Sequence, residues 1–571
     1  MTFRFRTADF SLMTLLVAMP VCIFLLLFLV LPVLSVVLAA FGIGSQSATL
    51  VYIVLFFQQE LYREAFSNSL QVAFLSMLFA SLIAVPLAWI ATRMRFRGWL
   101  LVQVLGVLPL VMPPFVAAFA LQPFLGANGA VNLLLQRWFG FTLPFMEGMN
   151  GVVLVESIHY FPFVLLNLIT SLRRIDLSME ESAVTLGSTR WRRFRRIVLP
   201  LALPGYVAGA AIVFMRAFED LGTPLILGVT NMLAPLTYLR VMSVGVDDPL
   251  SYVIAMIMLA FSALTLYLAG YFLRDKDNAY MPYLGGGVML PVPARPVLGR
   301  WPTVFSYGWV VVTLLFVLLP HLGLLSLSLA DIWSFSILPD SWTTRNYDTI
   351  ATDSGAALIN TFLYCGLAAG IDVTLGGVIA YVVLRTRLAG RNVLARLAGV
   401  SLAVPGMVLA LGYLRFFRDI NVPLSEAPFS STWGMIALAY AVQQLPYVVK
   451  VCMTALQAID PNLEAAAENL GSTRTRVLQR IVIPLMAGGL LLGFVVSFMA
   501  AATELPITML LSNNEAQAPM SYEIYLYMQS VSGRGPGAAL AIVAIAVVAI
   551  CASIIHILLR RRLRSTTAMP S

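Results

Sequence analysis

Twelve stretches of this chain stay apolar for long enough to hold about 20 residues of helix, the length that crosses the hydrocarbon core of a bilayer. They lie at roughly 12–41, 69–91, 100–122, 150–172, 201–218, 251–273, 305–330, 357–384, 394–413, 433–457, 485–502 and 537–559. So many runs cannot be buried in one soluble core. Nor does the chain carry the polar surface of a soluble globule, about 25% charged: it is 60% hydrophobic and 11% charged. The pattern predicts an all-α polytopic membrane protein of about 12 transmembrane helices. The run from Leu12 to about Ala40 follows Arg4 and Arg6, yet it is far longer than the apolar core of a secretory signal and lacks a clear cleavage site. It reads as a retained first helix.

The net charge of +9 would suggest an acidic partner in a soluble protein, but its placement accounts for it. With the N-terminus in the cytoplasm, 27 of the 36 Lys and Arg residues fall in the predicted inside segments. Arg93, Arg95 and Arg97 follow the second run, and Arg173 to Arg196 contribute seven more. Arg385, Arg387, Arg391 and Arg396 follow the eighth run, and Arg560, Arg561, Arg562 and Arg564 follow the last. This is the positive-inside bias of an inner-membrane protein with both termini cytoplasmic, and it requires no nucleic-acid partner. The four cysteines, Cys22, Cys365, Cys452 and Cys551, stand singly in apolar runs, with neither a disulfide framework nor a zinc-ligand spacing.

The chain repeats. Leu172–Pro200 and Leu456–Pro484, offset by 284, share 15 of 29 positions, and the match lies in polar sequence, where shared greasiness cannot produce it. Farther upstream the offset is 292, which pairs Arg93 with Arg385, Arg95 with Arg387 and Pro113 with Pro405. Each repeat holds six runs, an even number, so the halves run parallel, related by a pseudo-twofold axis along the membrane normal with a pathway between them. The predicted organisation is a first repeat at 1–273, an irregular Gly- and Pro-rich cytoplasmic linker at 274–302, and a second repeat at 303–571.

The repeated polar segment has a defined local chemistry. Asp176 and Asp460 precede Glu180 and Glu464, an acidic start suited to a helix N-terminus. Gly187 and Gly471 end that short helix where a positive φ is required, and Ser188-Thr189 and Ser472-Thr473 offer N-caps for a second one. Pro200 and Pro484 begin the next span. Two short helices with a sharp turn, duplicated and continuous with membrane helices, form an object that another protein can grip. An amphipathic connector resting on lipid headgroups through Arg192, Arg193, Arg195 and Arg196 is the alternative, but it needs no Gly and Pro at fixed offsets in both halves.

This spacing resembles the EAA signature of the permease subunits of binding-protein-dependent ABC importers. Here the signature reads Glu180, Glu181, Ser182, Gly187, Ile197, Leu199 and Pro200, then Glu464, Ala465, Ala466, Gly471, Ile481, Ile483 and Pro484. The first copy has Glu and Ser where the pattern prefers Ala, and the second has Ile for Leu. The resemblance implies a type I ABC importer permease fold. It also implies a coupling helix in each half, seated in a groove of a cytoplasmic ATPase with its acidic residue facing that subunit. Two copies imply two ATPase subunits, an extracytoplasmic substrate-binding protein, and no cofactor in this chain. ATP and Mg would be held by the ATPase, because a Walker A loop needs Gly immediately before its Lys and the two lysines, Lys276 and Lys450, follow Asp275 and Val449. The chain is therefore not itself an enzyme.

The stretches "FEDLGTPLILG" (Phe218 to Gly228) and "TELPITMLL" (Thr503 to Leu511) resemble the ferric-iron branch of that family, with thiamine and 2-aminoethylphosphonate permeases as relatives. Asp220 meets Glu504 at the 284 offset. Hard Fe(III) prefers oxygen ligands, so Glu219, Asp220 and Glu504 are pathway candidates offering passing contacts, with loop or cap carboxylates as the plain alternative. Polar residues inside spans are costly and often functional, which adds Glu156 and His159. Arg216 and Lys450 read as snorkelling toward an interface; facing the path, they would disfavour a cation. A secondary transporter would also permit parallel repeats but not a docking segment in each half. A membrane enzyme would need a nucleophile or metal constellation that three scattered His and four Cys do not supply.

Overall fold

The computed structural model describes residues 7–43, 49–94, 99–106, 108–273, 300–333, 336–421, 428–512, 514–530 and 532–567. Apart from residues 300–302 the expected linker lies outside these, as do Arg4, Arg6, Arg95 and Arg97. Among the described residues ten helices are long and apolar enough to cross a membrane, or eleven if one bent pair is a single span.

The departure from twelve straight helices is at the third span of each half. The runs at 100–122 and 394–413 read as single helices, but prolines divide them. In the first half the chain forms Trp99–Leu105 and Leu108–Val111, then restarts as Pro114–Leu125. In the second, Arg391–Ala403 and Gly406–Phe416 meet at 104°. Pro113 (φ −58°, ψ 145°) and Pro405 (φ −57°, ψ 142°) are extended. A proline has no N–H for the helix ladder and forces its predecessor out of the helical region; Val404 accordingly sits at ψ 111°.

The halves are interlocked. The first span, Leu16–Ala40, lies against the second half's Gly406–Phe416, where Tyr413 Oη donates to Phe28 O at 2.7 Å. A β-carbon on Gly412 would stand 2.6 Å from Pro32 O. Conversely, the second half's first span, Arg300–Ser328, crosses the first half's Pro114–Leu125 so closely that a β-carbon on Gly323 would meet Ala120 O. At these two crossings only glycine admits the neighbouring backbone. One buried apolar cluster therefore draws residues from both halves, from Ala18 to Ala541. The most enclosed helices are the fourth spans, Gly148–Arg174 and Trp433–Gln457, with 89% and 78% of their apolar windows buried.

Candidate functional site

The repeated segments form matching surface elements. Asp176 caps Leu177–Thr185 by accepting from Ser178 N at 2.9 Å, and Asp460 caps Pro461–Asn469 through Asn462 N at 2.9 Å. The backbone and hydroxyl of Ser178 hold the Asp176 carboxyl below the usual carboxylate range. Each helix closes on a left-handed glycine, Gly187 at φ +72° and Gly471 at φ +85°. Ser188 N reaches Ala183 O at 2.9 Å and Ser472 N reaches Ala467 O at 3.0 Å, which satisfies carbonyls that the helix end would orphan.

Beyond the turn the structure corrects the expectation of a separate second short helix. Arg190–Arg193 and Arg474–Val477 run without a break through one wide turn each, Phe194–Val198 and Leu478–Val482, into the fifth spans Leu199–Glu219 and Ile483–Ala502. In these turns Leu199 N bonds Phe194 O and Ile483 N bonds Leu478 O, five residues back. Pro200 and Pro484 explain this, since their rings exclude the carbonyl four residues earlier and widening the turn relieves the clash. Ile197 and Ile481 are half-buried in these turns, beside the buried Val198 and Val482.

The carboxylates of the signature do not point outward, as the resemblance implied. Glu180 pairs with Arg93 at 2.5 Å, and Glu464 with Arg385 at 2.6 Å. Both arginines end the second spans, Glu60–Arg93 and Gly355–Arg385. What faces away is apolar: Leu186 and Leu470 are 87% and 88% exposed, and Met179 and Leu463 about half so. Residues i, i+3 and i+7 share a helix face, so Met179, Ser182 and Leu186 form one exposed stripe and Leu463, Ala466 and Leu470 its counterpart. Glu181 and Ala465 are exposed beside them. The 292 offset already pairs Arg93 with Arg385 in sequence; that each meets a signature glutamate is a contact across about 80 positions, which no local pattern encodes.

A second polar cluster lies between the halves, at the far end of the fifth spans. Arg216, read as snorkelling, instead spans the interface: Nη1 donates to Glu219 Oε1 at 3.1 Å and Nη2 to Tyr447 Oη of the other half at 2.6 Å. Asp220 is buried and accepts from Gly222 N at 3.1 Å, which makes it partly a cap, while its Oδ2 has no hydrogen-bond partner. Glu504 lies against Gly406 at the break of the third span, where a β-carbon would stand 2.7 Å from its Oε1. Arg216 feels the charges of Glu219 and Glu504, and Glu219 those of Glu504 and Asp220. Glu156, fully buried, accepts from Ser76 Oγ at 2.8 Å and lies in the field of Asp220. His159, also buried, packs edge-on to Tyr160 with centroids 4.7 Å apart. Glu219, Glu504 and His159 thus lie in the field of Arg216, with Asp220 beside Glu219 and Glu156 beside Asp220. Asp372, paired with Ser497 at 2.6 Å, is a buried carboxyl outside that group.

The pattern of the family described as "binding-protein-dependent transport system inner membrane component" matches residues 84–277 and 373–565. The chain belongs to that family. Each matched stretch of this permease contains one complete surface segment, so the chain is a fused pair of the repeat, a multi-pass inner-membrane protein with a type I permease fold. It is similar to the ferric transport system permease protein FbpB of Actinobacillus pleuropneumoniae, 25% identical over 498 residues, covering 87% of this chain and 71% of that one. It is similar over a shorter stretch to the molybdenum transport system permease protein ModB of Haemophilus influenzae, 35% identical over 189 residues, 32% of this chain and 82% of that one. The sulfate transport system permease protein CysT of Escherichia coli is 30% identical over 208 residues, 36% of this chain and 73% of that one.

Proposed function

We propose that this permease imports ferric iron, delivered by an extracytoplasmic binding protein and driven by two separate ABC ATPase subunits, one seated on each repeated segment. The observation that carries the coupling role is the pair of nearly fully exposed leucines, Leu186 and Leu470, at matching tips of capped helices that continue into the fifth spans. With Met179 and Leu463 exposed beside them, each leucine belongs to an apolar patch at the same place in both halves, and an exposed apolar patch rimmed by polar residues marks a partner's seat. Closure of the ATPase dimer on ATP and Mg would push both segments and tilt the fifth spans, reorienting the halves about Arg216, Glu219, Asp220 and Glu504. Both termini and residues 173–199, 274–302 and 457–483 would be cytoplasmic. Single cysteines at positions 188 and 472, in a background without native cysteine, should react only from the inside; outside labelling would reverse the orientation.

Iron is supported by the likeness to FbpB along most of the chain and by the gathered carboxylates. Among the described residues no three His, Cys, Asp or Glu side chains converge on a metal position, so iron would meet one or two carboxylates at a time, which suits passage rather than retention. A second reading, a tetrahedral oxyanion, is favoured by Arg216 in the same cluster and by the higher local identity to ModB and CysT. Uptake into proteoliposomes holding the full transporter and its own binding protein, with ferric iron and molybdate offered in turn, decides between them.

A further inference from the structure

We propose that Arg216 is a tethered cation that bolts the pathway shut, neutralising carboxylates that face each other across the seam between the halves and tying those halves together through Tyr447. The inference rests on the reading of that seam as the import pathway and names the group that closes it.

The seam is shut where the turns after the two fifth spans meet. A β-carbon on Gly222 of the first half would stand 2.8 Å from Leu505 Cδ2 of the second, and Leu221 and Leu505, equivalent at the 284 offset, are both buried. Carboxylates arrive at these turns from both sides. Glu219 lies in the field of Glu504 across the seam, and like charges repel strongly where little water screens them. Left alone they would push the halves apart. Arg216 supplies the missing cation from within the chain. Its Nη1 bond to Glu219, three residues along the same helix, fixes the guanidinium, and its Nη2 bond to Tyr447 reaches the fourth span of the other half. Glu504 adds its field from that side.

The bridge is single, whereas the packing that interlocks the halves is paired. The crossings at Gly412 and Gly323 occur once in each half, but at the 284 offset Arg216 meets Ala500, Glu219 meets Thr503 and Tyr447 meets Phe163. The second half has neither the cation nor its two partners. Deep between the halves the Arg216 side chain is still 24% exposed, so it borders a gap that water can enter. As the halves part, the guanidinium can release the Tyr447 hydroxyl and keep Glu219, which rides on its own helix. A passing ferric ion would neutralise the same carboxylates, so the bolt can open without leaving them uncompensated.

The test uses the full transporter in proteoliposomes, without ATP, binding protein or iron, and measures entry of Rb⁺, a monovalent ion that carries too little charge to displace the guanidinium. The wild-type protein should be tight. Arg216→Gln should raise entry on the order of tenfold, the weight of one lost hydrogen bond to a charged group. Adding Glu504→Gln to that variant should restore most of the tightness by removing the repulsion. Tyr447→Phe, which keeps the Arg216–Glu219 pair and loses only the crossing bond, should leak less than Arg216→Gln but more than the wild type. Wild-type tightness in Arg216→Gln would overturn the bolt, and so would an equal leak with and without Glu504→Gln, which would mean a packing defect. If Arg216→Gln does not accumulate in the membrane, Tyr447→Phe carries the measurement, and tightness in that variant would overturn the proposal. Thr503→Cys, in a background without native cysteine, addresses the pathway reading separately. It should react with a water-soluble thiol reagent during transport, and failure to react at any stage of the cycle would remove the seam as the pathway, whatever the leak shows.

Discussion

Arg93 and Arg385 occupy equivalent ends of the second spans, yet they fasten their segments differently. Arg385 makes three bonds, one to Glu464 and two to the carbonyls of Leu456 and Ile459. Arg93 has its ion pair with Glu180, and its Nε and Nη2 are buried without hydrogen-bond partners. The backbone around them is nearly the same in both halves: an Asp cap, a left-handed glycine, a wide turn before proline, an exposed leucine. Duplication has therefore kept the shape that a partner would feel and let the internal fastening drift. The second segment is tied to the second span and, through the same guanidinium, to the end of the fourth, whereas the first is tied to the second span alone, so the second should be the stiffer arm.

The largest expected effect follows from that difference. Arg385→Ala leaves one carboxylate and two carbonyls without their donor, at about 3 kcal/mol or more locally, since each orphaned group costs about 1–3 kcal/mol. Arg93→Ala removes one ion pair, whose side chains are 9% and 21% exposed, and leaves a single carboxylate without its donor, about 1–3 kcal/mol. Uptake and protease nicking near position 471 should change strongly in the first variant, and uptake and nicking near 187 only modestly in the second. Equal effects would break the comparison.

Gly187→Val and Gly471→Val should come next and should be alike. A β-carbon at either position meets nothing within 4 Å, so the cost is only that of the left-handed backbone, roughly 1–2 kcal/mol. Uptake by each variant at normal membrane abundance measures it, and a clear inequality would mean that the partner, not the backbone, constrains one of the glycines.

How much of this is legible in sequence depends on range. The spans, the parallel repeat, the Asp caps and the glycine turns are encoded within a few residues of where they act, and they can be read. The breaks at Pro113 and Pro405 are half-legible: the prolines align at the 292 offset, but an apolar run of helical length hides what they do to it. The wide turns before Pro200 and Pro484 leave no trace in hydropathy. Arg93 and Arg385 read as positive-inside residues, which describes their side of the membrane and not their partners. Arg216 reads as a snorkelling side chain because the sequence does not reveal Tyr447 in the opposite half. The exposure of Leu186 and Leu470 also escapes, because a leucine beside a turn, repeated in both halves, is ordinarily packed.

A smaller effect concerns pH. Because the folded Asp176 carboxyl titrates below its ordinary value, the stabilisation from this cap is complete above about pH 4, the unfolded carboxylate value, and fades as pH falls through the depressed one. Asp176→Asn keeps an acceptor for Ser178 N and should leave uptake between pH 5 and 8 unchanged. Loss of activity at neutral pH in that variant would assign Asp176 a role in contact with the ATPase.

The smallest predicted difference is also the finest probe of how far the halves have diverged. Thr189 Oγ1 accepts from Arg192 N at 3.4 Å, a long cap, whereas Thr473 makes no side-chain cap bond. An N-cap Thr replaced by Ala typically costs about 0.5–2 kcal/mol, and a bond of this length belongs at the low end. Thr189→Ala should therefore loosen the start of Arg190–Arg193 by a few tenths of a kcal/mol, visible as faster amide exchange at Arg192 and its neighbours. Thr473→Ala should leave exchange around Arg476 unchanged. The direction runs with the arginine asymmetry: the half with the weaker ion-pair anchorage, the first, keeps the side-chain cap, while the half held by Arg385 does without one. If Thr473→Ala proved the more damaging, the second segment would owe its order to the cap and not to Arg385, and the division of fastening between the two halves would have to be redrawn.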